Sequence, residues 1–179
     1  MGHAARPDVI IREATPADAH AIATVQVRGW RAAYRGLIPQ KFLDALSIED
    51  RTRRFGGILA APQPGVRFWV AERGGHVIGY ASAGPSRDDG VDAEATGEVY
   101  ALYLVPEAWD TGSGRALFTT AADSLRGDGF QTATLWVLEA NERARRFYEH
   151  AGWEFDGTVM PFDAGGVAVP EVRYRRTAL

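Results

Sequence analysis

Hydrophobic and polar residues change their spacing several times along the chain, and each change marks an element. Val9-Ile10-Ile11 predicts a short strand reaching Glu13. Thr15-Pro16-Ala17-Asp18 then carries a helix start: a hydroxyl cap, proline at the first helical position and a carboxylate three residues after the cap. Ile22, Val25, Val27 and Trp30 give that helix an apolar face running toward Tyr34, with Gly36 as its stop. Two shorter helices are expected at Gln40–Leu46 and Ile48–Leu59, the second capped by Ser47.

The middle of the chain reads as strand. Val66–Glu72 and Val77–Ala83 flank Arg73-Gly74-Gly75-His76, a hairpin signal. Pro85–Ala95 is a loop carrying Asp88, Asp89, Asp92 and Glu94. Glu98–Val105 is the strongest strand, and strict alternation puts Glu98, Tyr100, Leu102 and Leu104 on one face, Val99, Ala101, Tyr103 and Val105 on the other. A helix over Ser113–Arg126, a strand at Thr132–Leu138, a helix capped by Asn141 and ending near His150, and strands at Trp153–Val159 and Val167–Arg175 complete the series. This order predicts an α/β (α+β) domain with a mixed sheet flanked by helices, not a bundle or a sandwich.

With 179 residues the chain has room for one domain, expected over residues 8–179 behind a flexible lead at 1–7. Its hydrophobic share of 46% and charged share of 24% are ordinary globular values. No apolar run approaches the ~20 residues of a membrane span, and the N-terminus lacks the regions of a signal peptide. The absence of cysteine excludes disulfides, thiolate metal sites and cysteine nucleophiles, and fits a cytoplasmic protein. His3, His20, His76 and His150 lack metal spacing, so no metal is expected. A net charge of −3 argues against a nucleic-acid partner, because phosphate neutralisation needs a basic excess.

Chemistry enters at Trp109-Asp110-Thr111-Gly112-Ser113-Gly114-Arg115, between the strongest strand and an amphipathic helix. Glycines there let backbone approach a ligand, and free N–H groups at a helix start favour an anion. A nucleotide P-loop would need Gly-Lys-Ser/Thr, and this loop has no lysine; a dinucleotide fingerprint would need glycine at the position of Leu117. A tight turn without a ligand remains the structural alternative.

The segment Asn141-Glu142-Arg143-Ala144-Arg145-Arg146-Phe147-Tyr148-Glu149-His150-Ala151-Gly152-Trp153 follows the next strand. Together the two segments resemble the GNAT superfamily of N-acetyltransferases: its pyrophosphate loop, Gln/Arg-x-x-Gly-x-Gly/Ala, and its Asn-x-x-Ala-x-x-Phe-Tyr-x-x-x-Gly-Phe/Trp pattern. The resemblance extends from Val9–Glu13 to Glu171–Tyr174. It implies the GNAT fold and transfer of acetyl from acetyl-CoA directly to an amine. The loop departs from the family at Trp109 and Asp110, leaving Arg115 as the stretch's one cation and predicting weakened CoA binding.

The resemblance also assigns site residues. Backbone groups of Leu102, Tyr103 and Leu104 would pair with the pantetheine arm, the Leu104 N–H serving as oxyanion donor, and Asp110, Thr111, Gly112, Ser113, Gly114 and Arg115 would cradle the diphosphate. Asn141 would cap its helix and contact CoA. Tyr148 would be the general acid for the departing thiolate; by spacing alone it equally suits a core aromatic. Glu98 stands where histone-type members place a catalytic glutamate, against the alternative of a solvated charge at a strand end. Members with a base on the next strand carry glutamate where this chain has Trp136, which leaves Glu98 or bulk water. Trp30, Tyr34 and Tyr100, with the acidic loop, would form an acceptor pocket suited to a cationic amine, small or peptidic; core aromatics and a solvated loop are the alternative. Homodimers are common in the family. A non-catalytic acyl-CoA-binding module is the rival function, motivated by Trp109 and Asp110.

Overall fold

The structure, a computed structural model, describes residues 8–179; the lead expected at 1–7 lies outside them. The elements follow the expected order, with ends shifted by a few residues: β1 (Val9–Glu13), α1 (Ala19–Ala33), α2 (Gln40–Asp44), α3 (Ile48–Ala60), β2 (Arg67–Arg73), β3 (His76–Pro85), β4 (Thr96–Leu104), α4 (Ser113–Gly127), β5 (Thr132–Leu138), α5 (Glu142–His150), β6 (Glu154–Asp163) and β7 (Ala168–Thr177). Thr15 begins not the α-helix but a short 3-10 turn, Pro16–Asp18, that leads into it. Among the described residues no helix is long and apolar enough to cross a membrane.

The strands form one seven-stranded sheet in the order β1-β2-β3-β4-β5-β7-β6, antiparallel except where β4 meets β5. Alternation along β2 shows the layering. Trp69 and Ala71 pack with Leu117, Phe118 and Ala121 of α4 and Phe147 and Tyr148 of α5, whereas Val70 packs with Ile22 and Val25 of α1 and Phe55 of α3. A third cluster, Ile38, Leu43, Leu138 and Ala164, gathers Trp30, Tyr34, Phe42 and Phe162 around it.

Two irregularities of the sheet position everything that follows. Ser82 opposes Ala101 but Ala83 opposes Val99, so Tyr100 is an extra residue, a β-bulge in β4. The bulge overturns the strict alternation expected from sequence. Glu98, on the pairing register of Gly84, comes to share a face with Ala101 and Tyr103 rather than with Leu102 and Leu104. The second irregularity is a parting of strands: β4 and β5 pair only at Thr96–Glu98 with Thr132–Thr134 and then diverge. Beyond that point β4 remains bonded to β3, and β5 to β7, leaving a wedge-shaped opening in the middle of the sheet.

The turn between β1 and α1 is held by a buried carboxylate. Asp18, 7% exposed, accepts from the two terminal guanidinium nitrogens of Arg12 at 2.8 and 2.9 Å and from the Thr15 amide at 2.7 Å. The Arg12 hydrogen bonds hold the Asp18 carboxyl down at about 2. A depressed pKa adds stability in full above the unfolded-state value and loses it as pH falls through the folded one. Asp18→Asn should therefore lower the unfolding free energy by about 2 kcal/mol at neutral pH. The wild-type and variant stabilities, followed by denaturant titration, should converge as pH falls from about 4 to about 2.

Candidate active site

The wedge places different groups on the sheet's two faces. At the C-terminal end of β4, on the α4 side, the chain makes a turn through Trp109–Ser113. Gly112 has φ +86°, in the left-handed region, immediately before the first turn of α4. Among the described residues no side chain caps that helix start, so its first N–H groups are available to an acceptor. The start of α5 differs: Asn141 Oδ1 accepts from the Ala144 amide at 3.2 Å, while its own NH2 group has no acceptor among the described residues.

The loop is more basic than its own residues indicate. Arg73, from the end of β2, donates at 3.0 Å to the hydroxyls of both Thr111 and Ser113, and its Nε is buried with no partner among the described residues. Arg143, from α5, lies over the Trp109 ring at 4.1 Å and donates to both Asp110 carboxylate oxygens at 3.1 Å. Arg115 is thus joined by two guanidinium groups from elsewhere in the fold. Trp109 and Asp110, the departures from the family pattern, act as seat and counter-charge, respectively, for Arg143. Asp110 also adopts φ +56°, a left-handed conformation that aspartate tolerates better than most residues.

Along the wedge itself, Val105 N–H donates to the Ile78 carbonyl at 2.9 Å. Alternation then turns the Tyr103 amide to β3 as well, and the Leu102 and Leu104 amides toward the opening. Gly29 of α1 lies close by: a Cβ there would come within 3.0 Å of the Leu104 carbonyl oxygen. Tyr148 approaches from α5, packed on Phe118 and Tyr174 with ring centroids 5.3 and 6.2 Å away, and 8% exposed. Burial, and then the Tyr103 phenol, push the Tyr148 hydroxyl well above its ordinary value.

On the α1 face the wedge opens into a cavity of about 460 Å³. Trp30, Tyr34, Tyr100 and Tyr103 line it, with Trp136, Phe162, Arg87, Asp88, Glu98 and Glu171. Trp30 is its hub, with Tyr34, Tyr103 and Phe162 at 5.2, 5.9 and 6.0 Å. The Tyr34 and Tyr103 hydroxyls are 3.4 Å apart, and burial raises both phenols. Tyr100 is fixed by donating to the Pro85 carbonyl at 2.5 Å, and burial, with Glu98 adding to it, pushes it up to about 12.

The cavity's carboxylates are not equivalent. Glu98, 2% exposed, accepts from the Arg87 amide at 2.9 Å and from its guanidinium at 2.5 and 3.3 Å. That guanidinium lies over the Tyr100 ring at 4.0 Å. Asp88 accepts from the Trp136 indole at 2.8 Å and from Arg173 at 3.0 Å. The rest of the acidic loop does not reach the cavity: Asp92 closes the loop's own turn by accepting from the Glu94 amide, and Asp89 and Glu94 are not among the lining residues. Glu171, absent from the sequence-based site, lines the cavity from β7 with no donor to its carboxylate among the described residues, and burial raises it above the usual carboxylate range.

The Acetyltransferase (GNAT) family model matches residues 29–153, which hold the glycine loop, β4, the wedge and Tyr148. The chain belongs to this family. The chain is 35% identical over 140 residues to the uncharacterized N-acetyltransferase YuaI of Bacillus subtilis, covering 74% of this chain and 73% of that one. It is 28% identical over 171 residues to the probable N-acetyltransferase Rv2775 of Mycobacterium tuberculosis, covering 94% and 93%. The fold resembles the PaiA N-acetyltransferase of Thermoplasma acidophilum, solved in complex with coenzyme A (TM-score 0.72, 19% identity, 95% of this chain and 99% of that one). It also resembles yncA of Salmonella typhimurium, a putative acetyltransferase solved with its cofactor acetyl-CoA (TM-score 0.70, 22% identity, 95% and 94%). These relatives do not favour the non-catalytic module that Trp109 and Asp110 motivated.

Gly112 gives the first test of the site. Gly112→Ala should cost about 1 kcal/mol or more in urea denaturation, because its φ of +86° is strained for any residue with a Cβ.

Proposed function

We propose that the protein transfers acetyl from acetyl-CoA directly to a primary amine held in the aromatic cavity. The carrying observation is the wedge between β4 and β5, which joins an uncapped, cation-ringed helix start on one face to that cavity on the other. On this proposal the amides of Gly112, Ser113, Gly114 and Arg115 receive the CoA diphosphate, whose charge is met by Arg115, Arg73 and Arg143. Thr111 and Ser113 hold Arg73 in place, and Asp110 does the same for Arg143. The Asn141 side-chain NH2 group, which has no acceptor among the described residues, faces the same ligand.

The Leu102 backbone pairs with the pantetheine arm as an added strand would; the Leu104 carbonyl already accepts from the Trp109 indole at 3.3 Å, and the Leu104 N–H donates to the thioester carbonyl oxygen as negative charge builds there. Tyr103 contributes through its ring and hydroxyl. Tyr148 gives its proton to the departing sulfur. Even an unperturbed phenol near 10 protonates a thiolate near 8.5 uphill by about 2 kcal/mol, so the raised Tyr148 keeps its proton until thiolate charge has formed beside it. Trp30, Tyr34 and Tyr100 give the acceptor its apolar walls.

CoA should raise the melting temperature in a concentration-dependent way, and acetyl-CoA with an accepted amine should release thiol. Tyr148→Phe should keep the melting shift and lose about 10²–10⁴ in kcat; turnover equal to wild type would remove the acid role. Arg143→Ala should weaken CoA binding roughly fivefold to tenfold by leaving Asp110 bare beside the diphosphate, whereas Asp110→Asn should change it by less than about threefold. Calorimetric titration of CoA decides both.

A further inference from the structure

Two of the three carboxylates lining the cavity have partners within the protein: Glu98 pairs with Arg87, and Asp88 pairs with Arg173, which it shares with Asp156, and accepts from the Trp136 indole. Glu171 alone has no partner among the described residues. Its place follows from register. On β7, Val172 and Tyr174 turn into the core at 1% and 0% exposure, so Glu171 and Arg173 turn to the opposite face. There Glu171 stands between Leu138 of β5 and Met160 of β6, all three on the cavity wall. The surrounding walls are the rings of Trp30, Tyr34, Tyr103 and Phe162; a further cation, Arg51 of α3, is not on the cavity wall but lies over the Trp30 ring at 5.0 Å and donates to Gln26 Oε1.

We propose that Glu171 is the group that receives the acceptor's ammonium and takes its proton, so that the acceptor is a cationic primary amine carried on an apolar or aromatic body. This rests on the acetyl transfer proposed above. A bare carboxylate among aromatic faces is complementary to an ammonium ion, by charge on one side and by cation–π attraction on the others. Once both are enclosed, transfer of a proton from ammonium to Glu171 removes two desolvated charges and leaves a free amine lone pair. The nitrogen attacks the thioester carbonyl carbon; the C–N bond forms and the C–S bond breaks. The sulfur takes the Tyr148 proton, the nitrogen's second proton restores the phenol, and Glu171 returns its proton to solvent. The burial that raises Glu171 above ordinary carboxylates narrows its gap from the amine. Glu98 remains the counter-ion that holds Arg87 on Tyr100.

The test uses phenethylamine and its neutral counterpart phenethyl alcohol, titrated calorimetrically at neutral pH into the CoA-bound wild type, Glu171→Gln and Glu98→Gln. The wild type should prefer the amine by about tenfold or more, Glu171→Gln should lose that preference, and Glu98→Gln should keep it. With acetyl-CoA, wild type should release thiol in the presence of phenethylamine, and Glu171→Gln should do so about a hundredfold more slowly. Equal binding of amine and alcohol by the wild type overturns the proposal without recourse to any variant. An undiminished preference in Glu171→Gln also overturns it, and amine binding without thiol release from the wild type overturns its proton step. CoA binding is read separately from the melting shift, which needs neither carboxylate; its absence overturns the acetyl-transfer function instead.

Discussion

The separation of β4 from β5 is the constraint on which the rest of the molecule depends. A sheet satisfies its backbone groups strand by strand, and an interior strand with an unpaired side leaves donors and acceptors that something else must meet. Here β4 is bonded to β3 throughout but meets β5 only at Thr96–Glu98, so the amides of Leu102 and Leu104 face an opening inside the fold. The bulge at Tyr100 adds to this. It returns Glu98 to the face of Tyr103 and sets Tyr100, Tyr103 and Glu98 around one cavity. Pairing along the full length of both strands would close the passage between the helix start of α4 and the cavity beneath α1.

Charge is distributed accordingly. On the α4 side three guanidinium groups surround a turn whose amides are uncapped, and their partners there are the Thr111 and Ser113 hydroxyls and the exposed Asp110 carboxylate. On the α1 side Arg87 and Arg173 are tied to carboxylates, Glu98 for the one and Asp88 and Asp156 for the other, and Glu171 has no donor among the described residues. On the functions proposed above, one face receives a polyanion and the other a cation, with Tyr148 and the β4 amides between them. This polarity, rather than any single residue, makes the two-substrate function coherent.

Much of the fold is legible in the residues because it rests on local rules. Period-two runs such as Thr132–Leu138, the cap pairs Ser47 with Asp50 and Asn141 with Ala144, and the 3.6-residue apolar face of α1 are set by neighbours close in the chain. The glycine loop and Tyr148 are legible for a similar reason: each sits in a short segment whose pattern is tied to one backbone conformation. The bulge at Tyr100 left no such mark, because Glu98–Val105 alternates without interruption and its extra residue is defined only against β3.

Glu171, Arg73 and Arg143 carry no local mark of their place in the site, because the groups that surround each of them lie far away in sequence. Alternation along β7 marks Glu171 as facing away from the core, which ordinarily means solvent; only Trp30 of α1, packed against Phe162 of the adjacent strand β6, turns that face into a cavity wall. Arg73 looks like a hairpin charge and Arg143 like an exposed helix charge, until β2 and α5 bring them to the glycine loop. Local conformation is a property of adjacent residues and can be read from their order. Which charges meet, and which carboxylate is left without a partner, depends on contacts between distant segments that exist only once the sheet has assembled.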